Sequence, residues 1–226
     1  MSEVAVVYKV DDSEIKLTPK IVQDYIVSGN AQITMPEFKL FTELCKVRKL
    51  NPFLREAYLI KFGTNPAQMV VGKEAILKRA IKHPQFNGRE QGVIVSTKDG
   101  GIDYRKGTFK LQDEKVVGGW AKVFRKDWDH PVEITVSFEE VAQKTRDGSL
   151  NSNWANKGAT MVEKVALVRA LREAFVEDLG GMIDEDEAWQ ESAPRASSVP
   201  KPQQDVFSEP VEAEVVPQTE VKLDDI

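Results

Sequence analysis

A chain of 226 residues with 41% hydrophobic and 30% charged residues is long enough to bury a core, and it has no run of about 18 apolar residues, which excludes a transmembrane helix. A single cysteine, Cys45, excludes an intramolecular disulfide and a zinc cluster and fits a reducing, cytoplasmic setting, and "MSEVAVVYKVDDSEIK" mixes acids with apolar residues, unlike a signal peptide. The net charge of −5 is uneven: residues 181–226 hold 12 acids and 3 bases, a net of −9, which leaves residues 1–180 at +4.

In chain order, residues 1–17 have weak patterning and read as an extended arm. "TPKIVQDYIVSGN" opens a helix with Thr18 as N-cap and Pro19 at its first position. Ile21, Val22, Tyr25 and Ile26 follow at helical spacing, and Gly29 ends it. "TMPEFKLFTELCKVRKL" is a second helix. Thr34 and Glu37 form a capping box, Phe38, Phe41, Leu44, Cys45 and Val47 make the apolar face, and Asn51-Pro52 stops it. The period then changes. Two short strands, 57–62 and 67–71, flank a "GTNP" turn, and "GKEAILKRAIKHP" is a third helix closed by Pro84. From 91 to 137, "GVIVST", "IDYRKGTFKLQ", "GGWAKVFRKD" and "PVEITVSF" are strands joined by short breaks, an antiparallel pattern. "FEEVAQKT" is a short helix, 147–160 a polar loop, and 160–176 the final helix. The fold class is therefore α+β, a central antiparallel β-sheet with flanking helices, in a domain spanning 1–180. Residues 181–226 form an acidic, Pro/Ser-rich tail, disordered from 190 on.

Several motifs imitate chemistry. "GTNPAQMVVGKE" resembles a phosphate loop, but Glu74 follows Lys73 where a hydroxyl would bind Mg²⁺, and Ala67 replaces the upstream glycine. "DWDH", 127–130, precedes Pro131 and reads as a turn. His83 and His130 are the two histidines, and neither has the partners of a nucleophilic triad. Asp99, Asp103, Asp113 and Glu133 are the carboxylates that a metal-dependent nuclease would use, without a spacing that singles them out.

The informative stretch runs from Val141 to Arg172. It holds six bases, Lys144, Arg146, Lys157, Lys164, Arg169 and Arg172, against the acids Asp147 and Glu163. Trp154 and the amides Gln143, Asn151, Asn153 and Asn156 lie among them. Cations neutralise phosphates, amides support bases and sugars, and an aromatic ring stacks or packs. At about 100° per residue, Met161, Leu167, Val168, Leu171 and Phe175 fall within about 60° of Lys164, while Arg172 lies about 80° and Arg169 about 140° away. Glu163 faces elsewhere. Lys164 thus stands on the apolar face near a helix N-terminus, where the dipole disfavours a cation. Two readings remain: its ammonium snorkels to solvent, or it meets a phosphate. For Trp154 the residues favour packing over base stacking.

The order "LNPFLREAYLI" (50–60), "VVGKEAILKRA" (70–80), "QFNG" (85–88), "KTRDG" (144–148), Trp154 and "MVEKVALVRALREAF" (161–175) resembles the phage RecT/Redβ (Bet) single-strand annealing proteins. The likeness covers about 35–178. It implies a recombinase in the bacterial host cytoplasm that binds single-stranded DNA, pairs it with a complementary strand without ATP through an annealed duplex intermediate, and forms homo-oligomeric rings or helical filaments. It also implies partnership with a 5′→3′ exonuclease and with host single-strand-binding protein. The tail is too short and polar for the folded C-terminal module that some relatives use for such partners. No cofactor is implied: no nucleotide, and Mg²⁺ only as a stimulant without a site of its own.

Carried over onto this chain, the DNA-binding set comprises Lys73 at the strand-to-helix turn, Lys144 and Arg146 of "KTRDG", and Lys164, Arg169 and Arg172 of the last helix. Asn153, Trp154 and Lys157 of the polar loop complete that stretch. Arg105, Lys106 and Lys110, with Arg125 and Lys126, belong to a hairpin that either flanks the DNA or is solvated. The N-terminal helices and the 50–62 segment are expected to supply the interface between copies. A metal-dependent nuclease or DNA-processing accessory protein is the alternative, told apart by shortened strands on incubation with Mg²⁺ or Mn²⁺. A protein-binding scaffold, a third reading, predicts no DNA binding at low salt.

Overall fold

The structure, a computed structural model, describes residues 4–145 and 147–185. The first segment departs from the expected extended arm. β1 (Val6–Val10) and β2 (Ser13–Leu17) form an antiparallel hairpin whose turn holds Asp11 at φ 48°. Its inward positions Tyr8, Val10, Ile15 and Leu17 are buried, and the Tyr8 hydroxyl donates to the Leu50 carbonyl at 2.9 Å. The alternation of "YKV" and "EIKL" about "DD" was the strand signal.

Thr18 caps α1 (Pro19–Ile21), accepting from the Ile21 amide, as the sequence predicts. The helix then widens into a π-turn (Val22–Ile26) and passes directly into β3 (Val27–Gly29), so Gly29 belongs to a strand. β3 pairs parallel with β4 (Ala57–Lys61), and β4 pairs antiparallel with β5 (Gln68–Val71). At Gly29, φ is 118° and a Cβ would lie 2.0 Å from the Lys61 carbonyl oxygen, so the pairing requires glycine. The Thr34–Glu37 capping box is present at the start of α2 (Met35–Val47), which ends before Asn51 opens a 3₁₀ turn (Pro52–Leu54). α3 (Lys73–Lys82) begins immediately after β5.

The central sheet is antiparallel in the order β7-β6-β8-β9. β6 (Phe86–Ser96) begins before the predicted 91, and β7 (Ile102–Lys106) is shorter than its apolar pattern. β8 (Lys115–Arg125) begins three residues before the expected segment at 118 and ends two before its end at 127, and β9 (Val132–Ser137) matches its segment. α4 (Phe138–Val141) follows as the short helix.

α5 (Ser152–Ala174) crosses the sheet over β8 and β9 and also touches α3 and α6 (Val176–Leu179). It starts eight residues before the expected boundary at 160. Asn151 caps it, accepting from the Trp154 amide at 3.0 Å, and Lys157 breaks the helical angles at φ −134°, ψ 31°. That break interrupts the 3.6-residue period, so the first turns read as a loop. Elements cover α5 on several sides, which is why Val162, Val165, Ala166, Val168 and Ala170 are all buried. The sheet permits the close approach at Gly119, where a Cβ would lie 2.5 Å from the Val162 carbonyl oxygen. Gly119→Ala must push helix and strand apart. It is expected to lower stability by about 1–3 kcal/mol, measured by urea unfolding.

Candidate nucleic-acid interface

Two clefts border α5, and both contain cations from the predicted set. Lys73, the first residue of α3, and Lys164 of α5 share a cleft of about 330 Å³ with Arg55, Tyr58, Asp184 and Glu185. Lys73 Nζ stands 3.7 Å from Glu163 Oε2. The other Glu163 oxygen accepts from Gln91 Nε2 at 2.6 Å. Glu163 is therefore buried between a strand amide and a lysine, not turned away from the packed surface as the helical wheel suggested. Covering α5 from several sides leaves its acid no solvent face, so it acquires partners.

Lys164 neither snorkels freely nor stands alone. Its Nζ lies 3.6 Å from Asp184 Oδ2, with the lysine side chain 18% and the aspartate side chain 3% exposed. Asp184 belongs to the segment after α6, which the sequence assigned to the tail. Met182 and Asp184 are both buried against the body. The remainder of the expected tail, 186–226, lies outside the described residues, as does Arg146.

The second cleft, about 570 Å³, lies between the 108–116 loop and the start of α5 and is lined by Lys110, Lys115, Asn156 and Lys157. Lys157 is exposed at the helix break, about 10 Å along the axis from Lys164 at 1.5 Å per residue. Lys110 Nζ reaches the Glu114 carbonyl at 3.3 Å. Trp154 also borders this cleft, but its side chain is 1% exposed and meets Phe138 edge-on at 5.4 Å between ring centroids. That burial removes Trp154 from the residues able to stack on a base: its ring is a wall of the core.

The hairpin cations are balanced. Arg105 pairs with Glu114 at 2.5 Å and Asp103 at 3.1 Å, and Lys106 with Glu90 at 2.6 Å. Arg125 is held by Asp127 at 2.6 Å, stacks its guanidinium on Trp128 and donates to the Ala174 carbonyl at 2.5 Å, so it fastens the sheet to the end of α5. Lys126 Nζ donates to the Pro84 carbonyl at 2.9 Å. Lys144 and Asn153 are exposed. Arg169 pairs with Glu140 at 3.5 Å, away from the Lys73–Lys164 cleft, and Arg172 is half-buried. The amides Asn151 and Gln143 bond each other at 2.7 Å at the helix cap. Sequence reasoning missed Arg55 and Lys115. Arg55 follows the Asn51-Pro52 turn at φ 57°, a position that only the turn geometry directs into the cleft.

Three of the four carboxylates of the nuclease alternative are dispersed among separate ion pairs: Asp113 with Lys98 at 2.6 Å, Asp103 with Arg105, and Glu133 with Lys122 at 3.0 Å. Lys98 holds the Asp113 carboxyl below its usual range. Among the described residues no three of His, Cys, Asp and Glu converge on a point that could hold a metal ion. Among the same residues no helix is long and apolar enough to cross a membrane.

An α+β body whose candidate site is two lysine-bearing clefts bordering one helix has the equipment of a protein that binds a polyanion by contact. Residues 12–201 match the model of the RecT family, most of the chain, and the protein belongs to that family of single-strand annealing proteins, which act on single-stranded DNA in recombination. No curated protein matches the chain.

Proposed function

We propose that this protein binds the backbone of single-stranded DNA along the cation-bearing flank of α5 and anneals it to a complementary strand within an assembly of many copies. The observation that carries the reading is the pair of lysine-lined clefts, Lys73 with Lys164 and Lys110 with Lys157, ranged along one helix in a RecT-family chain. Cations on a backbone give affinity without sequence preference and leave the bases free to pair. Pairing forms no covalent bond, so the reaction needs neither ATP nor a resident metal. The protein holds one strand, admits the second and retains the duplex.

Each copy covers only a few nucleotides, so copies must line up head to tail, closing into a ring or continuing as a filament. Leu40 and Val47, one face of α2 two turns apart, are exposed, as are Phe53 and Leu54, which supports an interface in this region. A 5′→3′ exonuclease would supply the strand, and host single-strand-binding protein would hand it over, in the cytoplasm of a phage-infected bacterium.

Lys157→Ala is the clean test, because its side chain is exposed and its loss leaves the core intact. The variant should melt with the wild type, bind an oligodeoxythymidylate about threefold more weakly, and show a slope of log K against log salt shallower by about 0.7. An unchanged slope removes the second cleft from the site.

A further inference from the structure

The cleft that holds Lys73 and Lys164 is already occupied by an acid of the same chain. After α6, Arg48 grips the segment by donating to the carbonyls of Asp178 at 2.9 Å and Gly180 at 2.8 Å. Gly181, at φ 73°, turns the chain back, and Met182 inserts into the core. The Val71 amide donates to the Ile183 carbonyl at 2.8 Å, laying the segment beside the end of β5. Only beyond this anchor do charges reach the cleft. Asp184 faces Lys164, and Glu185 lies beside Tyr58, where burial first and these two carboxylates second hold the phenol protonated. The sequence continues the acid run through Asp186 and Glu187.

Two features distinguish this from an ordinary structural ion pair. At 3.6 Å the Lys164–Asp184 contact is too long for a hydrogen bond, so it is a charge attraction of the kind that a phosphate oxygen can equally make to the same ammonium. Asp184 and Glu185, consecutive acids, also present one negative charge per residue to the cleft of Lys73 and Lys164, the same demand that a phosphodiester backbone makes. Resting on the proposed DNA site, we infer that residues 184–185 form an acidic strap that fills the Lys73–Lys164 cleft in the free protein and must be displaced by a DNA phosphate. The anchor at 180–183 tethers the strap, so its return needs no diffusion, and weak or short ligands are rejected in favour of strands whose many phosphates bind together.

The arithmetic is that of a competent fraction. If the strap is seated in about nine molecules of ten, freeing the cleft tightens the apparent affinity about tenfold. The experiment uses the full chain and an oligodeoxythymidylate. Asp184→Asn keeps the side-chain shape and removes the charge; it should bind about tenfold more tightly than the wild type. In the wild type the backbone amide resonances of Asp184 and Glu185 should shift and sharpen once the oligonucleotide saturates the protein, while the Val71 amide, bonded to the anchor, stays protected from exchange. Equal or weaker binding by a folded Asp184→Asn, or Asp184 and Glu185 resonances that do not move with DNA bound, overturns the strap and makes the pair structural. If Asp184→Asn does not fold, the Asp184 and Glu185 resonances of the wild type decide alone. Failure of the wild type to bind at all sinks the DNA site and the strap together. Binding that Lys157→Ala weakens, with Asp184→Asn without effect, sinks the strap only.

Discussion

Glu37→Gln should destabilise the protein by about 3–5 kcal/mol, because it strands a buried lysine. Lys61, in the last position of β4, is 7% exposed, and its ammonium donates to both carboxylate oxygens of Glu37, at 2.8 and 2.7 Å. The same carboxylate accepts from the Thr34 amide at 2.7 Å and the Ala67 amide at 2.8 Å. Glutamine can still accept from one amide but cannot balance the ammonium. Burial alone would raise the pKa of Glu37. Hydrogen bonds from Lys61, Thr34 and Ala67 outweigh it and lower the value from 4.5 to about 2. Since the folded value is the lower one, the ionised carboxylate stabilises the fold above pH about 4.5, and that contribution is lost as pH falls towards 2. Urea unfolding between pH 7 and 3 checks both points. The wild type should lose stability through this window, and the variant, already without the pair, should lose less. Equal stability of the two at pH 7 would mean that Lys61 escapes to solvent in the variant.

This pair also marks where the sequence stops being legible. The Thr34–Glu37 capping box could be read from four consecutive residues, because both partners lie on one turn of helix. The Lys61 contact could not, since it joins positions 24 residues apart through the placement of β4 beside α2. Lys164 follows the same rule. Helical spacing put it on the apolar face, and the structure places it in a cleft, only partly exposed. Its counter-charge, Asp184, lies in a stretch that composition alone assigns to a tail, and only the turn at Gly181 and the grip of Arg48 bring it back. The central antiparallel sheet was legible because alternation and short breaks are local signals. The β1–β2 hairpin carried the same signal in five-residue strands, and it was hidden by the two charged residues at its turn. Among the cations, spacing found the lysines on α5 and α3, but it could not tell that Arg105 is held by Asp103 and Glu114 and Arg125 by Asp127.

Trp154→Ala separates stability from DNA contact at the position where the two were hardest to distinguish by sequence. The indole is 1% exposed, packs edge-on against Phe138 and sits one turn into α5 behind the Asn151 cap. Gly158 closes the same spot: a Cβ there would lie 2.7 Å from the Phe138 ring. Surroundings this tight collapse poorly around a void, so the substitution is expected to cost about 3–5 kcal/mol and to lower the melting temperature accordingly. A ring stacked on a base would behave in the opposite way, leaving stability untouched and weakening binding by about 1–3 kcal/mol. Trp154→Phe, which keeps an aromatic ring in the pocket, should recover part of the stability. Denaturant unfolding of the three proteins gives the first quantity. Oligodeoxythymidylate titration at a temperature where all three are folded gives the second, and the affinities should agree within about twofold, the scatter of the surface lysines that Trp154 supports. A large loss of affinity in a fully folded Trp154→Ala would mean that the first turns of α5 open on DNA and release the indole. The helix break at Lys157, two turns before Lys164, is the point at which such an opening would have to hinge.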